Sequence, residues 1–240
     1  MGNKVDILAV GAHPDDVELS AAGTLIKHIQ EGKKVAIVDL TEGELGSRGS
    51  VKERYEEATK AAEIMGVHYR ENTQLADGFF EQDKSSLLKL IAQIRHFQPE
   101  IVLANAPSDR HPDHGRGASF IERACFLSGL LKIETERNGE KQAHWRPKAV
   151  YHYIQDNYIT PDFVIDVSDY RDQKFKAIFA YATQFYNPEM KGPETPISSK
   201  KFVDFLEARM IQMGRNINVK YAEGFVCSRI PGVSSLFDLQ

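Results

Sequence analysis

The alternation of short apolar, β-branched runs with helix-length amphipathic segments is the feature that most restricts how this chain can fold. Val5 to Val10 and Val35 to Leu40 are such runs, and between them "AAGTLIKHIQEGKK" carries apolar residues at helical spacing up to Gly32. That is a β-α-β unit, and it recurs. "VKERYEEATKAAEIMG" reads as an amphipathic helix stopped by Gly66, followed by a short strand near His68 to Glu71 and a helix from about Lys84 to Phe97. Pro99 then precedes the strand "EIVLA". A further helix runs from Gly115 to about Ser128, and the polar "IETERNGEKQAHWR" reads as an exposed connection. After it come strands in "AVYHYI" and "DFVIDVS", a helix from about Tyr170 to Gln184 and a Pro-rich loop "YNPEMKGPETPISS". A helix to Gly214 and a last strand near Tyr221 to Cys227 complete the chain. The pattern predicts an α/β fold, a mostly parallel sheet with helices on both faces, in which ligands bind beyond the carboxyl ends of the strands. No internal repeat or low-complexity block is visible, so residues 1–240 read as a single domain.

Composition narrows the function classes. A net charge of -4 with no clustered Lys and Arg argues against nucleic acid as a partner. No apolar run reaches the roughly 20 residues of a spanning helix, and "MGNKVDILAV" lacks a signal-peptide core, so the expectation is a cytoplasmic protein without a membrane partner. Two cysteines, Cys125 and Cys227, form no ligand pair in sequence and read as small buried hydrophobes in a reducing compartment.

Ionisable residues crowd the ends of two strands. "AVGAHPDDVELS" sets His13, Asp15, Asp16 and Glu18 directly after the first strand, and "DRHPDHGRG" sets His111, Asp113 and His114 after "EIVLA". Pro14 biases His13 towards an extended conformation, and Asp16, three residues on at the helix start, can curl back to the same point. Two His and one carboxylate make a common zinc shell with a position left open for water. Asp15 is then the candidate general base, with a pKa that burial or Asp16 would have to raise, unless the metal absorbs the charge of Asp16. His111 is the candidate acid, and Asp113 the carboxylate that would hold it in one tautomer and favour its protonated form. Taken singly, "HPDD" also reads as a helix cap with an acidic first turn and "HPDH" as a surface turn. Their meeting at one sheet edge favours a site.

"AHPDD" after a first strand with "HPDH" after a later one resembles the LmbE or PIG-L family of zinc-dependent N-acetylglucosamine deacetylases. The likeness extends through "DLTEGELGSRGSVKERYEEA", "LADG", "ANAPSDRHPDHGRGA", "ACFLSGLLK", "TQFYNP", "YAEGF" and "GVSSLFDL", and is strongest towards the bacillithiol-biosynthesis branch, which removes acetate from N-acetylglucosaminyl malate. The resemblance implies a Rossmann-like, LmbE-like fold without a dinucleotide site. It also implies metal ligands His13, Asp16 and His114, the base Asp15, and His111 with Asp113 as acid or oxyanion stabiliser and orienting carboxylate. Zinc is the implied cofactor, although two imidazoles and a carboxylate also accept Fe(II) or another divalent metal. The implied partner is a small-molecule amino-sugar conjugate, and the implied assembly a homo-oligomer, commonly a hexamer.

One position departs from the family. Relatives in mycothiol synthesis carry a Tyr two residues before the first His of the second motif, where this chain has Asp109. Tyr186 is the substitute the sequence offers, against its reading as a packed loop aromatic. For the malate carboxylates the candidates are Arg48, Arg54 and Arg110, since Arg is the usual bidentate partner. Arg54 also reads as an exposed helix charge paired with Glu53 or Glu57. Glu18 is assigned to the helix turn rather than the metal, and His28, His68, His96, His144 and His152 to ordinary positions. Two other functions stay open: a thiol-conjugate amidase on the same scaffold, and a non-catalytic sugar- or metal-binding protein.

Overall fold

The computed structural model describes residues 3–189 and 192–238. Strand β1 (Ile7–Gly11) leads into helix α1 (Asp16–Gln30), followed by β2 (Val35–Thr41), α2 (Val51–Met65), β3 (Tyr69–Leu75), α3 (Lys84–Phe97), β4 (Ile101–Ala104) and α4 (Pro112–Ser128). A two-residue-per-strand hairpin, β5 (Glu136–Arg137) and β6 (Glu140–Lys141), lies within the connection expected to be exposed. Then follow β7 (Ala149–Tyr153), β8 (Phe163–Asp166), α5 (Arg171–Phe179), α6 (Lys200–Arg215) and β9 (Ala222–Cys227). Helix α5 stops at Phe179, short of the expected Gln184, and β3 runs on to Leu75.

Local chemistry explains the boundaries. Ser50 and Glu53 form a reciprocal capping box at the start of α2, and Gly66 ends it in the left-handed region at φ 78°. Asp83 caps α3 by accepting from the Ser85 and Ser86 amides. Helix α4 begins at Pro112, three residues earlier than the sequence suggests, because proline suits the first helical position and the His111 side chain accepts the Asp113 amide.

The seven-stranded sheet has the order β3-β2-β1-β4-β7-β9-β8. Pairings from β3 through β7 are parallel, and β9 runs antiparallel to β7 and β8. Strand β1 is covered on both faces: Ile7 and Ala9 join the core under α1, α2, α5 and α6, while Leu8 and Val10 join the core under α3 and α4. From β1 the chain winds out through β2 to β3, then returns to place β4 on β1's other side. The switch point therefore lies between β1 and β4, where α/β sheets open a crevice. Both charged stretches leave the sheet there. Among the described residues no helix is long and apolar enough to cross a membrane. Both cysteines are unpaired, Cys125 in the core and Cys227 only half-buried at the end of β9.

Candidate active site

The crevice holds a cavity of about 330 Å³ lined by His13, Asp15, Asp16, His111 and His114. Asp16 stands at its centre. One carboxylate oxygen lies 3.0 Å from His114 Nε2, and the other accepts the His13 amide at 3.0 Å and lies 3.6 Å from His13 Nδ1. Asn105 and Gln155, which follow β4 and β7, donate to Asp16 at 3.0 Å each. The expected group of His13, Asp16 and His114 is thus assembled.

The outer nitrogens of the two imidazoles are held by carboxylates. Asp109 takes His114 Nδ1 at 2.5 Å, and its other oxygen accepts the Asn157 amide at 2.6 Å. His13 Nε2 lies 3.0 Å from Asp77 and 3.3 Å from Asp113. Each ring therefore presents its other nitrogen to Asp16. Carboxylates behind imidazoles, with the inner nitrogens converging on a further carboxylate, fit a divalent cation, because they fix ring orientation and raise ligand basicity. The same carboxylates hold the pKa of His13 well up and that of His114 up to about 9 against the opposing cost of burial, so the cluster attracts positive charge. Ring nitrogens of His13, His111 and His114 come within 4.8 Å of one another, so His111 also stands at ligand range.

Asp15 sits at the helix entrance with φ 123°, a strained conformation for a residue with a side chain, and it makes no capping bond. It is buried beside Arg54, whose Nη1 lies 3.4 Å from the carboxylate and donates to the Pro14 carbonyl at 3.0 Å. Burial pushes its pKa up to about 7, with Asp16 and Glu18 adding to the rise and Arg54 and His13 opposing it. A carboxyl group poised near neutrality is suited to taking and returning a proton.

Several expectations change. Asp113 does not orient His111: its carboxylate faces His13, accepts the Gly78 amide at 2.9 Å and lies 3.1 Å from Arg116, because the helical turn carries it away from the preceding ring. His111 instead accepts the Asp113 amide at Nδ1, 3.3 Å away, which leaves its proton on Nε2. Burial and the neighbouring imidazoles lower its pKa, which favours the neutral ring. Arg54 is buried at the site and not an exposed helix charge. Arg110 lines the cavity and pairs with Asp156. Arg48 is buried and does not line the cavity; its Nε lies 3.4 Å from where a Cβ on Gly192 would sit. Tyr186 is exposed and does not line the cavity. Glu18 is fully buried against Arg70 and Tyr181 rather than serving the helix turn alone.

Asp77, Asn105, Asp109, Gln155 and Arg209 were not assigned roles from sequence. Apart from Arg209 they follow β3, β4 and β7, so the rule placing ligands at carboxyl ends of strands was the available signal. Arg209, on α6, had none.

The PIG-L pattern, described as GlcNAc-PI de-N-acetylase, matches residues 8–125, which contain both histidine stretches. The conserved protein TT1542 from Thermus thermophilus superposes with a TM-score of 0.85 at 33% identity, covering 97% of this chain and 98% of its own. The chain belongs to the PIG-L family. It is an enzyme of the N-deacetylase type, in a family whose deacetylases are metal-dependent. Among curated relatives, the diacetylchitobiose deacetylase of Thermococcus kodakarensis is 26% identical over 95% of this PIG-L chain and 84% of the relative. The 4-oxalmesaconate hydratase of Pseudomonas putida is 28% identical over 90% and 86%. A probable N-acetyl-alpha-D-glucosaminyl L-malate deacetylase 2 of Bacillus anthracis is 25% identical over 77% and 84%.

Proposed function

We propose that this PIG-L chain hydrolyses the acetamide of an N-acetylglucosamine conjugate, N-acetyl-alpha-D-glucosaminyl L-malate, with zinc held by His13, Asp16 and His114. The observation that carries the reading is the convergence of the inner nitrogens of His13 and His114 on Asp16, beside an Asp15 carboxyl poised near pH 7. When bound, the cation supplies a Lewis acid for the amide carbonyl and lowers the pKa of a water molecule.

The chain's own residues do the rest. Asp15 takes a proton from the attacking water and returns it to the leaving nitrogen, so that the amide and water become acetate and an amine. His111, with its proton on Nε2, donates to the carbonyl oxygen as negative charge develops there. Asp109 and Asp77 hold His114 and His13 in orientation. Arg54 keeps Asp15 in place, and Arg110 offers charge at the rim.

Acetate release from N-acetylglucosaminyl malate, measured beside free N-acetylglucosamine on chelated protein restored with stoichiometric zinc, tests this reading. Preference for the malate conjugate is the expected result. Equal or absent release from both would overturn the substrate assignment. Hydration of an unsaturated acid without any acetate release would place the chain with its hydratase relative instead.

A further inference from the structure

Part of the cavity wall comes from the loop before α6 and from α6 itself, through Ile197, Phe202, Phe205, Leu206 and Arg209. The guanidinium of Arg209 lies 4.5 Å over the Phe205 ring and donates through Nη2 to the Asp156 carbonyl oxygen. It forms no ion pair among the described residues, since the Asp156 carboxylate is already engaged by Arg110. The other carboxylate nearby, Asp109, is engaged by His114 and the Asn157 amide, so neither carboxylate is within ion-pair distance of Arg209. Burial lowers the pKa of Arg209 despite the proximity of Asp156 and Asp109, which marks a guanidinium stripped of water without full replacement. A largely buried arginine without a carboxylate is costly unless an anion completes it.

We propose that Arg209 anchors the aglycone of the substrate: an N-acetylglucosaminide whose aglycone bears a carboxylate or phosphate seats that anion on Arg209, with the aglycone's carbons against Phe202 and Phe205. This rests on the reading of the site as an amino-sugar deacetylase and adds the residue that selects the other half of the substrate. A planar, five-donor guanidinium suits either anion, and its placement by the aromatic ring and the Asp156 carbonyl reduces the ordering cost of binding.

The test uses metal-loaded enzyme and three N-acetylglucosaminides, with methyl, carboxylate-bearing and phosphate-bearing aglycones, each assayed with wild type, Arg209→Gln and Arg209→Lys. The expected result is that Arg209→Gln lowers the ratio of kcat/KM for a charged over the methyl substrate by roughly 10- to 100-fold, with the loss in KM. Arg209→Lys should recover part of it, and whichever anion shows the larger wild-type ratio identifies the aglycone. An equal loss on charged and methyl substrates, or no wild-type preference for charge, overturns the proposal. Calorimetric binding of the corresponding charged glucosaminides to chelated protein separates the two readings. Arg209-dependent binding without acetate release would keep the anchor and remove the hydrolase, whereas binding indifferent to Arg209→Gln would remove the anchor.

Discussion

Two buried charged clusters share the first turn of α1, and only one opens onto the cavity. Glu18 points into the first, where Arg70 donates to Asp39 at 2.8 and 3.0 Å, to Glu18 and to the Ala58 carbonyl, and Tyr181 donates to Glu18 at 3.0 Å. Its guanidinium is spent on partners within the protein, and although Glu18 Oε2 is left without a hydrogen-bond partner, the cluster does not open onto the cavity. Asp16, two residues earlier, points into the second, where imidazole nitrogens face a carboxylate across a cavity and Asp15 is held half-ready to ionise. Buried charge by itself therefore does not mark function. What marks it is unspent coordinating capacity, with the orienting partners already in place behind it.

The largest effect expected from breaking the open cluster is on turnover. Asp15→Asn should lower kcat by about 10²- to 10⁴-fold while metal content, read by elemental analysis, stays stoichiometric. Metal loss in step with activity would move Asp15 into the ligand set.

The closed cluster should answer in stability instead. Arg70→Met leaves Glu18 and Asp39 buried without their cation and should cost about 3–5 kcal/mol in denaturant unfolding. Metal affinity of the folded fraction should not follow; a parallel loss would show that the two clusters act as one.

Asp109→Asn sharpens the contrast, since Asp109 belongs to the open cluster without facing the cation. It should weaken metal affinity by about 10- to 100-fold in chelator competition. An unchanged affinity would reduce Asp109 to its loop contact with Asn157.

The smallest effect concerns pH. Burial raises Asp15 from its ordinary 3.8 to about 7, so the stability associated with its neutral form is complete below about pH 4 and is lost as pH rises through 7. In chelated protein Asp15→Asn should therefore raise the unfolding free energy at pH 8 and leave it unchanged at pH 3.5. A gain of equal size at both values would point to backbone strain rather than ionisation.

Local rules carried much of the fold. The Ser50–Glu53 capping box and Gly66 bracket α2, and the span of α3 agrees with its apolar periodicity because Asp83 caps it and the pattern ends at Phe97. Helix α5 was overrun because "YATQ" continues the helical composition, while the chain after Phe179 turns so that Thr183 can meet Glu57 of α2 at 2.7 Å. In the site, His13, Asp15, Asp16, His111 and His114 were legible because motif spacing and strand ends placed them at one edge. That Arg48 does not line the cavity while Arg209 does was not legible, for a loop's course and a distant helix's approach leave no trace in neighbouring residues.

The sequence by itself determined the order of elements, the doubly covered sheet and the meeting of both histidine stretches at the switch point. These follow from periodicity, caps and connection rules that act within a few residues or one β-α-β unit. Only the tertiary structure decided which carboxylate serves which imidazole. Asp77 reaches His13 across 64 residues of chain, and Asp113 turns from its neighbour His111 towards the same ring. Such pairings depend on where packed elements bring side-chain tips to within about 3 Å, a distance that side-chain direction and packing set and residue order does not encode.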